Sequence, residues 1–170
     1  MSTFFKKQAR GFTLIEILVV IGIIAILAAI VIIAINPAKQ FAQARNTNRE
    51  AAVNSILNAV GQRVADNKGV FAGTFTIDAV SYTCPTIPLL SVGTTTITTD
   101  NVVVSGNPGS LGLACLVPTY ISALPSDPTV AAGVSTGYTI GVSATGRVTV
   151  CAPNHAESAI PDAAAYCVSR

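Results

Sequence analysis

Phe12 to Ile35 reads FTLIEILVVIGIIAILAAIVIIAI, an apolar run that carries a single charge, Glu16. No other feature restricts the fold as strongly. At a rise of 1.5 Å per residue, about 20 apolar residues cross the hydrocarbon core of a bilayer, so the run predicts a membrane-spanning helix. An ionisable group within such a helix is a functional hypothesis by default, and its charge needs a partner. The competing reading makes Glu16 a boundary acid that snorkels to water at little cost.

The run follows a short basic leader, MSTFFKKQARG, residues 1–11. Lys6, Lys7 and Arg10 hold that leader in the cytoplasm by the positive-inside rule, so Phe12 is expected inside and the rest of the chain outside. Ordinary secretory signals have an apolar core of about 7–15 residues followed by a small-x-small cleavage site. This run is longer, so it is expected to remain on the mature chain. Removing the three leader cations from the formal +2 leaves −1, and the net charge gives no indication of nucleic-acid binding.

After Ile35, Asn36-Pro37 predicts either a kink or the capped start of a new helix. From Ala38 to about Asn67 apolar residues recur at helical spacing, with Ala52, Ile56, Val60 and Val64 on one stripe and Val53 and Leu57 beside it. Arg45, Arg49, Glu50, Arg63 and Asp66 are expected to cover the rest. Lys68-Gly69 supplies the stop signal.

From Val70 the composition turns to Thr, Val, Ser, Gly and Pro, with only Asp78, Asp100, Asp127 and Arg147 charged before Cys151. Such segments favour strands and turns. The clearest hairpin is Tyr138–Val142, a turn at Ala144-Thr145-Gly146, then Arg147–Cys151; weaker strands are expected near Phe71–Tyr82, Thr94–Thr98 and Asn101–Val104. The fold class is α+β. A long N-terminal helix, with a transmembrane half (12–35) and an amphipathic half (36–68), is expected to pack on a small antiparallel β-sheet head (69–170). Roughly 100 residues make one modest head.

The junction Arg10-Gly11-Phe12-Thr13-Leu14-Ile15-Glu16 resembles the processing site of type IV pilins and their relatives. The likeness runs from Lys6 to about Ile35. It rests on the coincidence of a short basic leader, Gly11, Phe12, an acid four residues on and a long apolar run. It implies a prepilin peptidase that cuts after Gly11 and N-methylates Phe12, and a pilin-like fold. The implied partners are further copies of the chain, an inner-membrane assembly machinery, and the membrane before assembly. The bland account of Gly11 is an ordinary glycine preceding a helix. Many relatives place a glycine and a proline where this chain has Ala25 and Ile33; here they fall at Gly22 and Pro37. The local melting that relatives show in filaments is therefore expected to be shifted or reduced. Gly22 also reads as a small residue that permits close helix packing. Tyr120–Pro128 resembles the Leu-Pro-x-Asp-Pro segment of major pseudopilins and some pilins, and otherwise reads as a proline-punctuated loop.

Cys84, Cys115, Cys151 and Cys167 all lie in the exported part, where thiols become disulfides. None has zinc spacing, and the sole histidine, His155, sits in a Pro/Asn/Ala loop. The pairs Cys84–Cys115 and Cys151–Cys167 are favoured because each closes a local loop and the second resembles the C-terminal disulfide loop of many pilins. Interleaved pairings stay open. A hydrolytic triad or metal centre finds poor raw material here, so no catalysis and no cofactor are expected. Glu157, Asp162 and Asp127 could offer oxygens to Ca²⁺ as in major pseudopilins, against the simpler reading of exposed acids.

So little charge on an exported head reads either as a surface covered between subunits or as a neutral, hydroxyl-solvated one. The chain reads as a structural subunit of a type IV pilus or pilus-like filament. It would be a single-pass precursor in the cytoplasmic membrane with the head outside, then part of an extracellular pilus. In that filament Glu16 is expected to pair with a neighbour's N-terminal amine and set the axial register. The alternative is the major pseudopilin of a type II secretion system, in a periplasmic pseudopilus. The Leu-Pro-x-Asp-Pro likeness and the Val53–Val60 helix favour the pseudopilin, and the paired cysteines favour a pilin. A third reading, a single-pass membrane protein with a ligand-binding head, treats the processing junction as chance.

Overall fold

Proline at position 37 decides where the first helix stops. The residue before a proline is pushed out of the α region, and the chain is already extended at Ile35 (φ −99°, ψ 111°), whose N–H still donates to the Val31 carbonyl at 3.0 Å. In a computed structural model, which describes residues 11–89, 95–100, 103–104, 109–161 and 163–170, helix α1 therefore spans Leu14–Ala34. The chain restarts rather than kinks. Asn36 Oδ1 accepts the Lys39 N–H at 3.3 Å, Pro37 takes the first helical position, and α2 runs Pro37–Asp66. At its far end the Gly69 N–H reaches back to the Val64 carbonyl at 2.8 Å, closing a Schellman-type turn. The left-handed residue within that turn is Lys68 (φ 54°), with Gly69 (φ 91°) following it.

The chain divides into two compact units, with the boundary between Gln40 and Phe41. In the first, α1 buries no residue, and its large aliphatic side chains from Leu14 to Ile33 all stand exposed. Gly22 lies within the uninterrupted α1.

The second unit, Phe41–Arg170, holds its own core. Strands β1 (Gly73–Ile77) and β2 (Val80–Cys84) form a hairpin. Strands β3 (Thr95–Thr98), β4 (Val103–Val104), β5 (Ser110–Gly112), β6 (Ser135–Val142), β7 (Val148–Ala152) and β8 (Tyr166–Ser169) form one sheet in the order β4-β5-β3-β6-β7-β8. The antiparallel expectation needs one amendment: β3 and β5 run parallel, Thr96 to Thr98 beside Ser110 to Gly112. The extended segment expected over Phe71–Tyr82 is instead folded on itself. Asp78 and Ala79 both adopt positive φ (49° and 65°), the geometry of a type I′ turn that suits the twist of the flanking strands. The Tyr138–Cys151 hairpin is present, with Thr139 opposite Cys151 and Val142 opposite Val148. Asn101 lies outside the described residues.

From α2, Val53, Ile56, Leu57 and Val60 enter one core with Ile97, Leu111, Tyr138, Ile140 and Val150 from the sheet, while Val64 packs at its edge. Arg49 and Arg63 do not stand in solvent with Asp66: they are 0% and 3% exposed, while Arg45 and Glu50 are half-buried. Their spacing explains it, because 49, 52, 56, 60 and 63 advance by three or four and share the buried stripe. The sulfur pairs are Cys84–Cys115, joining β2 to a 3₁₀ turn at Ala114–Leu116, and Cys151–Cys167, joining directly opposed residues of β7 and β8.

Candidate functional site: the processing junction and the exposed helix

Gly11 has no positive φ, and a Cβ built on it would meet none of the described residues within 4 Å. Among those residues, nothing requires glycine there. Thr13 is extended (φ −80°, ψ 154°) and caps α1: the Glu16 N–H donates to Thr13 Oγ1 at 3.3 Å. In return both the Thr13 N–H and its hydroxyl donate to Glu16 Oε2, each at 2.7 Å. This capping box places the only charge of the apolar run at the positive end of the helix, held by its own first turn. The residues Thr13-Leu14-Ile15-Glu16 spell that box in the sequence, ahead of an apolar run, a signal that a reading of Glu16 as a lone charge misses. Beyond Glu16, an 18-residue stretch of the helix has a mean hydropathy of 3.5, and the helix has no buried side chain.

A family model, the prokaryotic N-terminal methylation motif, matches residues 6–32 and so spans both this junction and most of α1. The chain carries the prepilin-type methylation motif of type IV pilins and pseudopilins. Comparison with curated proteins finds no match, nor does comparison with solved structures. The pilin-like reading therefore rests on the motif at one end and, for the head, on the α+β fold described above.

The second cluster in this pilin-like chain lies in the head and is built around Arg49. Its Nε and Nη2 grip Asp127 side-on at 2.7 and 3.1 Å. Nη1 donates to Asn46 Oδ1 at 2.8 Å and Glu157 Oε1 at 2.6 Å, and Nη2 also donates to Thr129 Oγ1 at 3.1 Å. These five bonds use every N–H of the guanidinium, which is what burial of a full charge demands. Asp127 Oδ1 further accepts the Thr129 N–H and hydroxyl at 2.8 and 2.6 Å. Burial pulls the Asp127 carboxyl up, but hydrogen bonds from Arg49 and Thr129 outweigh it and hold the pKa at about 2. Glu157 is likewise held at about 2, first by Arg45 (2.7 and 2.9 Å) and then by Arg49.

This pattern bears on the Ca²⁺ option. The carboxylates of Asp127 and Glu157 are occupied by arginines, Asp162 lies outside the described residues, and among the described residues no cluster of three or more His, Cys, Asp or Glu is placed to hold a metal. The Leu124–Pro128 segment is thereby an anchor for the loop on α2. His155 closes the same face: Nε2 meets Glu50 Oε1 at 3.1 Å, Nδ1 meets the Ala164 carbonyl at 2.9 Å, and its own carbonyl accepts from Asn46 Nδ2 at 3.0 Å. One turn and a half of α2, Arg45 to Glu50, thus fastens both the 126–129 loop and the 155–157 turn. Arg63 has a different solution, with its guanidinium 4.4 Å over the Phe75 ring and Nη2 donating to the Gly73 carbonyl at 3.2 Å.

Proposed function

We propose that the chain is a structural subunit of a type IV pilus or pilus-like filament. Prepilin peptidase cuts it after Gly11 and methylates Phe12, and it polymerises through α1. One observation carries this reading: α1 is a long apolar helix with no buried residue, and the head that follows it has a core of its own. Such a helix needs an apolar surrounding. Lipid supplies it in the precursor, and the helices of neighbouring subunits supply it in the filament, so assembly exchanges one surrounding for another of similar polarity. The leader charges orient the precursor with the head outside the cytoplasmic membrane. Glu16 pairs with the N-terminal amine of a neighbour and fixes the axial step.

The second reading, the major pseudopilin of a type II secretion system, uses the same chemistry for a periplasmic pseudopilus and is favoured by the Leu124–Pro128 segment. Shearing surface filaments from the source cell and identifying their peptides tests the proposal. This subunit with N-methylated Phe12 at its start is the expected result. A retained leader in filaments, or a mature N-terminus elsewhere, would refute the processing step. Finding the processed chain only in the periplasmic face of a secretion complex would select the second reading.

A further inference from the structure

The capping box of α1 does more than start a helix. Both donors of Thr13 converge on one carboxylate oxygen, Oε2 of Glu16, at 2.7 Å each, while Oε1 accepts no hydrogen bond from the described residues of the subunit. Glu16 is also the only charged side chain of α1. A glutamate on a helix surface otherwise samples several rotamers, and a group that must meet a charge on an arriving molecule loses that freedom on contact.

We propose that Thr13 is a positioning residue for assembly: it ties down Oε2 so that Oε1 is presented, in one orientation, to the amine of an incoming subunit. This rests on the filament reading above. Before assembly the same two donors keep the carboxylate from lying bare in lipid, where an unpaired charge is costly. Assembly then completes a half-filled carboxylate and does not have to rebuild it.

The test uses full-length, tagged subunits co-expressed with wild type, with the share of tagged chain in sheared filaments as readout and the intact mass of the membrane pool as the check on cleavage. Thr13→Val removes the hydroxyl but keeps the N–H, and is expected to be cleaved normally and to enter filaments about tenfold less, the effect of losing one hydrogen bond to a charge. Thr13→Ser, which restores the hydroxyl, should return to the wild-type share. In a Glu16→Gln background Thr13→Val should cause no further loss, because its effect runs through the carboxylate; a merely structural cap would still be felt there. Incorporation of Thr13→Val at the wild-type level, no rescue by serine, or an undiminished effect in the Gln background would each overturn the proposal. So would failure of cleavage, which would place Thr13 in peptidase recognition. Glu16→Ala separates the two levels: if it enters filaments normally, the register role itself falls, whereas its exclusion alongside normal Thr13→Val sinks only the positioning role.

Discussion

Replacing Arg49 with methionine keeps most of the side-chain volume and removes the charge on which two loops of the head depend. Five hydrogen bonds disappear, two of them the side-on grip on Asp127, which is itself only 2% exposed. Removing one member of a buried ion pair leaves the other uncompensated and typically costs about 3–5 kcal/mol, a large part of the stability of a small domain. The pH dependence gives an independent handle. Asp127 falls from an ordinary 3.8 to about 2 in the folded head. A depressed carboxyl contributes stability that is present above its unfolded pKa and is lost as the pH drops through its folded one. For Asp127 that contribution is about 2 kcal/mol at neutral pH, disappearing between about pH 4 and pH 2. In the Arg49→Met variant the sign reverses, since burial without the arginine raises the Asp127 pKa and protonation relieves the penalty. The gap between the two proteins should therefore be widest near neutrality and narrow as the pH falls. Urea unfolding of the Phe41–Arg170 unit, followed by far-UV circular dichroism from pH 7 to pH 3, measures it. Adding Asp127→Asn to Arg49→Met, which keeps an acceptor for the Thr129 N–H, should recover part of the loss. A deficit under about 1 kcal/mol at pH 7, or one that stays constant with pH, would refute a buried ion pair as the anchor.

Gly11→Val should leave uncleaved precursor in the membrane and no filaments while the head unfolds at the wild-type denaturant midpoint, because that Cβ meets none of the described residues; a shifted midpoint would show a structural role for the glycine. Gly137→Ala should destabilise the head by about 1–3 kcal/mol in the same unfolding assay, since φ is +80° and its Cβ would stand 2.7 Å from Val130 Cγ2 and 2.8 Å from Asp127 Cβ. Non-reducing peptide mapping should recover Cys84 with Cys115 and Cys151 with Cys167. Reducing either bond should cost about 3–4 kcal/mol for loops of 31 and 16 residues by the chain-entropy estimate, and a fragment linking Cys84 to Cys167 would contradict the pairing.

The features legible in advance are those with a period or a local rule behind them. The apolar run, the Asn36-Pro37 restart and the Ala52–Val60 stripe each follow from spacing within a few residues, as does the Tyr138–Cys151 hairpin. The parallel β3–β5 pair does not, because strand direction depends on a connection whose path no local residue encodes. Arg49 and Arg63 point outward on charge alone, although their spacing lies on the buried stripe. Period outranks charge here, and the acids that make burial of Arg49 tolerable arrive from positions 127 and 157, far along the chain. For Arg63 the compensation is an aromatic ring, Phe75, which carries no charge signal to look for. At the junction the capping box is legible in Thr13-Leu14-Ile15-Glu16, but an acid weighed against lipid alone hides its nearest partner, three residues away.

The bare flank of α1 also bears on how a filament can lose material. Fifteen large aliphatic side chains between Leu14 and Ile33 have no cover of their own. At about 1.5–3 kcal/mol for moving each from water to an apolar surrounding, release of one subunit into the medium is opposed by some tens of kcal/mol. A free subunit in solution is then not a stage on any path. In the filament proposed above, shortening must return chains to the bilayer, which would act as both depot and sink. Breakage by shear should therefore yield fragments that persist, because subunits cannot trickle from an end that faces water.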